Sequence, residues 1–230
     1  MILLTYQSYN PVIETTRQVL SDRRTSFLLH LGQCISSATE PKHFWSQLVR
    51  GLENDHLDLP FAVLYSAGWG VKETSSESTD QSHVQKDWSL EGLVRVPERN
   101  TVVPRRFDSD KDIEDFLPTF LDLIKADLPT LLPLAGDSFP TSLADNLRTE
   151  DGVVPFEAAV FLSVKSTSDI ALGFLILGVN PMKRYDDDYR IFVELLSRQL
   201  TSSIAVSSSQ YLWQAHIFDI SLTSLGRCFI

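Results

Sequence analysis

Acidic side chains are the first residues in this chain whose spacing could serve chemistry. Asp108, Asp110 and Asp112 alternate like the opening ligands of a calcium loop. Such a loop needs glycine at its sixth position for a sharp turn and a bidentate glutamate at its twelfth. Ile113 and Thr119 stand there instead, so these aspartates read as a solvated helix start. A second cluster, Asp186, Asp187 and Asp188, could in principle hold a hard cation. Helix capping asks for less: one carboxylate accepts from free backbone N–H groups while the others face the positive end of the helix dipole.

The remaining candidates are scattered. His30, His43, His56, His83 and His216 include no pair at metal-ligand spacing on one helix face, so they read as surface or core histidines. Cys34 falls on an apolar helical stripe and reads as an inert buried thiol; Cys228 is its only companion, and there is no Cys-x-x-Cys pair. Trp45, Trp69, Trp88 and Trp213 lie far apart and suit a core or a rim better than a ligand cage. No Gly-x-x-x-x-Gly-Lys phosphate loop, Gly-x-Gly-x-x-Gly turn or Gly-x-Ser-x-Gly elbow is present. These residues predict no catalytic group, no metal site and no cofactor.

Composition narrows the partners. A formal charge of −10, from 30 acidic against 20 basic residues, opposes nucleic-acid and anionic-membrane surfaces, which need clustered Lys and Arg. The length of 230 residues and the apolar content of 43% suit one soluble domain with extensions. The first ten residues, MILLTYQSYN, show no basic region and no small-residue cleavage site. With two cysteines and no disulfide framework, the expectation is a cytoplasmic protein.

The elements that must position these residues follow from periodicity. Residues 1–20 carry no sustained period and read as a lead-in. From Ser21 a helix is predicted with Leu28, Leu31, Cys34, Ile35 and Ala38 inward and Arg23 and Arg24 on the solvent side. Thr39-Glu40-Pro41 starts a second helix that buries Phe44, Leu48, Val49 and Leu52. Strands are predicted at Phe61 to Tyr65, Trp88 to Val96 and Ala158 to Val164. Helical spacing returns through Ile113, Phe116, Phe120 and Ile124, where Pro118 either kinks the helix or starts a second piece. Residues 128–156 read as loops with one short helical turn near Leu143.

Ile170 to Val179 is too short to span a bilayer and too apolar for a loop, so it reads as a central strand buried on both faces. Asn180-Pro181 stops it, and a helix begins at the aspartates with Phe192, Leu195, Leu196, Leu200 and Ile204 on its inner stripe. Helices at both ends with strands between predict an α+β fold with a mainly antiparallel sheet. Ser207 to Ile230 breaks the pattern and reads as a divergent apolar tail, giving a division into 1–20, 21–206 and 207–230.

The stretches SDRRTSFLLHLGQ, DLPFAVLYS, DLPTLL and GFLILGVNPMKRYDDDYRIFVELLSRQLTSSIA resemble the GAF-type sensor domain of fungal hybrid histidine kinases and related bacterial multidomain signalling proteins. The resemblance implies a central antiparallel sheet, with the first and last helices packed side by side on one face and a ligand-sized pocket on the other. It also implies homodimer contacts through those helices and an unidentified small-molecule ligand. Asn180, Pro181, Arg184, Tyr185, Asp186, Asp188, Tyr189 and Arg190 form the signature, and its implied role is structural. Pro181 stands where cyclic-nucleotide-binding members have lysine, and no cysteine falls in the expected sheet as chromophore attachment would need. Phosphoacceptor, ATP-binding and receiver motifs are missing from the sequence, so the expectation is a non-catalytic sensory module of a two-component phosphorelay. Two other readings stay open: a small enzyme using His or Asp groups from the 66–156 loops, and an interaction module that docks through its apolar tail.

Overall fold

In the computed structural model the described residues are 11–38, 40–55, 57–68, 87–96, 103–108, 117–126, 128–134, 139–140, 143–144, 147, 156–165 and 171–225. The chain runs α1 (Pro11–Ser36), α2 (Pro41–Leu52), β1 (Ala62–Ala67), β2 (Asp87–Val94), β3 (Arg106–Asp108), α3 (Leu117–Lys125), β4 (Thr130–Pro133), β5 (Ala158–Lys165), β6 (Ala171–Gly178) and α4 (Asp187–Leu225). The described strands form one sheet in the order β3-β2-β1-β6-β5-β4, and every neighbouring pair is antiparallel. Its helices and antiparallel sheet make it an α+β fold, as the sequence pattern predicts.

Strand β6 sits between β1 and β5, and all eight of its residues are buried. A continuous apolar run is what a strand covered on both faces requires. Register then sorts its side chains by period two. Leu175, level with Leu64 and Leu162, belongs to the core under α1, α2 and α4, whereas Phe174, level with Tyr65, belongs to the opposite core. Between them the strand must let Trp45 of α2 approach. A side chain on Gly173 would collide with that indole and lie 2.6 Å from the Tyr65 carbonyl oxygen.

The helix-side core is mainly aliphatic, with Leu31, Ile35, Leu48, Leu52, Leu196 and Leu200 meeting Leu64, Leu162, Leu175 and Leu177. Polar ties fix the helices lengthwise: Gln199 Nε2 donates to the Leu28 carbonyl at 2.9 Å and Ser207 Oγ to the Ala38 carbonyl at 3.0 Å. On the other side, Tyr65 O–H donates to the Pro104 carbonyl at 2.8 Å, and Ser163 Oγ to the Ile124 carbonyl at 2.9 Å. These bonds bind α3 and the segment before β3 to the sheet.

Several expectations change. Helix α1 begins at Pro11, not near Ser21; an exposed helix needs no apolar stripe, and residues 15–19 are exposed. Helix α4 continues through the expected tail to Leu225. Strand β3 takes in Asp108, which was expected at a helix start, and β4 occupies a stretch that reads as a loop. Both are short edge strands, for which local pattern is weak and pairing with β2 and β5 decides. Arg24 is buried and Arg23 half-buried, although both were expected on the solvent side. Cys34 is half-buried, with its Sγ 3.7 Å from His30 Nδ1, and Leu195 is about half exposed. Pro118 lies in the first turn of α3, and Leu143 and Ala144 are helical, as the sequence suggests. No helix among the described residues is long and apolar enough to cross a membrane.

Candidate functional site

The strand-to-helix connection after β6 gathers several polar contacts on the helix side. Asn180 Oδ1 accepts the Met182 N–H at 2.8 Å while its amide donates to the Leu57 carbonyl, which ties this turn to the α2–β1 connection. Asp186 is the helix cap: its Oδ1 accepts the Tyr189 N–H at 2.9 Å and its carbonyl accepts from Arg190 N at 2.9 Å. Asp187 pairs with Arg190 at 3.2 Å. Asp188 takes both oxygens to Arg17 of α1, at 2.7 and 2.8 Å, and this bond holds its carboxyl below the usual range.

Asp58 lies at the centre of the site. Its fully buried carboxylate receives Arg23 and Arg24 from α1 and Lys183 from the β6–α4 turn, Arg24 at 3.4 Å and Lys183 at 2.8 Å. Its backbone carbonyl accepts the buried Tyr189 hydroxyl. Burial by itself would raise this carboxyl, but the hydrogen bonds from Lys183 and Arg23, together with the charges of Lys183 and Arg24, hold it below its ordinary value. Asp55 supplies the contrast. Its Oδ1 accepts the Asp58 N–H at 3.1 Å, its Oδ2 is buried without a hydrogen-bond partner, and burial pushes its carboxyl up.

Aromatic faces complete the hub. The Arg24 guanidinium lies 4.7 Å from the centre of the Tyr189 ring and 5.5 Å from that of Phe192. Tyr185 packs on Tyr189 at 5.4 Å, and burial raises both phenols. Arg95, held at a left-handed φ of 54°, braces the same loop from the sheet side by donating to the carbonyls of Leu52, Glu53, Asp55, Leu59 and Pro60. Those include carbonyls that the end of α2 leaves without helical partners.

Beside the hub, a groove of about 870 Å³ opens between α1 and the start of α4. Leu20, Leu28, Ile191, Phe192 and Leu195 line its apolar part, with Arg17, Lys183, Arg184 and Asp188 among its charged residues. Neither Asp55 nor Asp58 reaches its wall.

The opposite face of the sheet, where the resemblance implies a ligand pocket, is occupied by the chain's own rings. Phe174 lies 5.0 Å from Tyr65, 5.1 Å from Trp88, 5.2 Å from Phe161 and 5.8 Å from Phe120, centre to centre. All five are buried.

The structure thus brings Asn180, Tyr185, Asp186, Asp188 and Tyr189 into one arrangement with α1 and the α2–β1 connection, and leaves Pro181, Arg184 and Arg190 exposed. Sequence reasoning missed Asp58, Arg23, Arg24 and Lys183. The one available signal was the pair of arginines next to the apolar stripe, since arginine can bury its stem and stack its head. Trp45 and Trp88 are core residues, and His30 and His43 are exposed. His56, His83, Trp69, Asp110 and Asp112 lie outside the described residues. Among the described residues no three His, Cys, Asp or Glu side chains could hold a metal ion.

Sheet order and helix placement together define a GAF-type fold. The chain is similar to the GAF domain from a phosphoenolpyruvate-protein phosphotransferase of Coxiella burnetii, with a TM-score of 0.52 and 12% identity over 84% of this chain and 98% of that one. It also aligns with the GAF domain of a protein assigned as a sensor histidine kinase in Pseudomonas syringae pv. tomato, with a TM-score of 0.47 and 15% identity over 89% of this chain and 99% of that one. No model of a known protein family and no curated protein matches the sequence.

Proposed function

We propose that this chain is a cytoplasmic sensory or regulatory module of the GAF type, serving a two-component phosphorelay without catalysing a step itself, and that it works through its terminal helices. The observation that carries this reading is the ring stack around Phe174. It lines the sheet face where a GAF ligand would be expected with the chain's own buried rings, which favours the α1 and α4 side for contact with a partner or a small molecule. Val19, Leu29, Ile191, Leu195 and Val206 are exposed apolar side chains on those two helices, which suits contact with a second copy. Catalysis would call for titratable groups converging on an open pocket. Asp188, the perturbed carboxylate that lines the groove, is instead taken up by Arg17, and Asp55 and Asp58 are buried away from it.

The test takes the purified chain through three measurements. It should gain no acid-labile phosphate from labelled ATP or from a phosphorylated histidine-phosphotransfer protein. Calorimetric titration with cyclic AMP and cyclic GMP should show no saturable heat. Sedimentation should give a dimer that Leu29→Asp and Ile191→Asp dissociate. Stable phosphate uptake would make the chain a catalytic or phosphoacceptor component, and saturable nucleotide binding that perturbs tryptophan emission would return the function to the sheet face.

A further inference from the structure

We infer that the first half of α1 is an arm latched to the body by ion pairs, able to lift away from α4 while the domain stays folded. The two halves of α1 are held by different physics. From Arg24 onward the helix buries Arg24, Phe27, Leu31 and Ile35 against the core. From Thr15 through Arg23 no side chain is buried. The ties of this half to the rest include Arg17, forked onto Asp188 at 2.7 and 2.8 Å, and Arg23 on Asp58.

Between the arm and α4 lies the groove of about 870 Å³. Leu20 on the arm and Ile191 and Leu195 on α4 line it, and Ile191 and Leu195 remain about half exposed. Arg24 marks the fulcrum, since it is the first buried residue from Thr15 onward and rests on both Asp58 and the Tyr189 ring. The exposed Arg17–Asp188 pair weakens with salt, the half-buried Arg23–Asp58 pair weakens less, and buried apolar contact does not weaken at all. Closure of the arm therefore depends on charge, and opening depends on whatever competes for Arg17, Asp188 and the half-buried Arg23. This follows from the chain's own packing and holds whether or not it signals.

Hydrogen exchange on the full chain, read by mass spectrometry, separates the two halves. Raising sodium chloride from about 0.05 M to about 1 M should speed exchange across residues 15–23 about tenfold, with residues 27–36 and β6 unchanged. In low salt, Arg17→Gln and Arg23→Gln should each give part of that acceleration, and the double variant should respond little to added salt. Asp58→Asn should open the arm further; if it does not fold, the arginine variants still decide. Spin labels at Val19→Cys and Leu195→Cys, with Cys34→Ser and Cys228→Ser, should show a longer distance in high salt. Uniform acceleration along all of α1, or exchange and distances indifferent to both salt and the arginine variants, would overturn the latch.

Discussion

The two faces of the sheet are built from different materials. Toward α1, α2 and α4 the core is mainly aliphatic and ends in a buried carboxylate shared by three cations; toward α3 it is centred on a cluster of rings with Phe174 in the middle. A ring stack fixes shape, because rings at van der Waals distance leave no room and lose contacts when one is removed. An ion-pair hub fixes orientation, because a buried charge tolerates only the geometry that keeps its partners near. The difference teaches where change can enter: the ring face resists it, and the helix face admits it through charge.

The sharpest way to break that comparison is Phe174→Ala. It should cost about 3 to 5 kcal/mol in urea unfolding, since the cavity would open among four other rings. A cost under about 1 kcal/mol would mean that the face collapses readily and is not a fixed stack.

Next comes Asp58→Asn, expected to cost about 3 kcal/mol because the buried Arg24 loses its counter-charge while Arg23 and Lys183 can still reach water. Its pH dependence has a definite sign. Asp58 is depressed in the folded state, so its contribution is present above the ordinary carboxylate value of 3.8 and is lost as pH falls through the lowered one. Asp55 is raised, so the folded state takes up that proton first, and stability gains from it as pH falls through the raised value towards 3.8. Unfolding midpoints followed from about pH 7 down to about pH 2 should therefore lose their steepest acid limb in Asp58→Asn. The acid limb should be unchanged in Phe174→Ala, and a loss there as well would remove the contrast between the faces.

Gly173→Ala should cost about 1 to 3 kcal/mol and displace Trp45, visible as a changed tryptophan emission, because the added methyl also meets the fixed Tyr65 carbonyl. Smallest is Asp186→Ala, which removes the α4 cap and should cost about 1 kcal/mol; Asp186→Ser should restore most of it. If neither variant changes the denaturation midpoint, the cap contributes nothing to holding α4 against the hub.

Legibility followed the range of the interactions. The β6 run, the Asn180-Pro181 stop and the aspartate-led α4 are local, and period, proline and capping chemistry were enough to find them. The first turns of α1 and the edge strands were not readable, because exposed helix and edge strand need no apolar signature. The hub was hidden for another reason. Lys183 stands 125 residues from Asp58 and Tyr189 stands 131 from it, so no window of sequence holds both ends of either bond.

By itself, then, the sequence determined which segments bury a face, because burial imposes a period that each segment carries alone. Tertiary structure decided what the faces meet. It set five rings side by side on one face of the sheet, and it drew Arg23 and Arg24 inward to a carboxylate on the α2–β1 connection. The physical reason is that an arginine's place, solvent or interior, depends on whether a distant chain segment brings it a buried counter-charge.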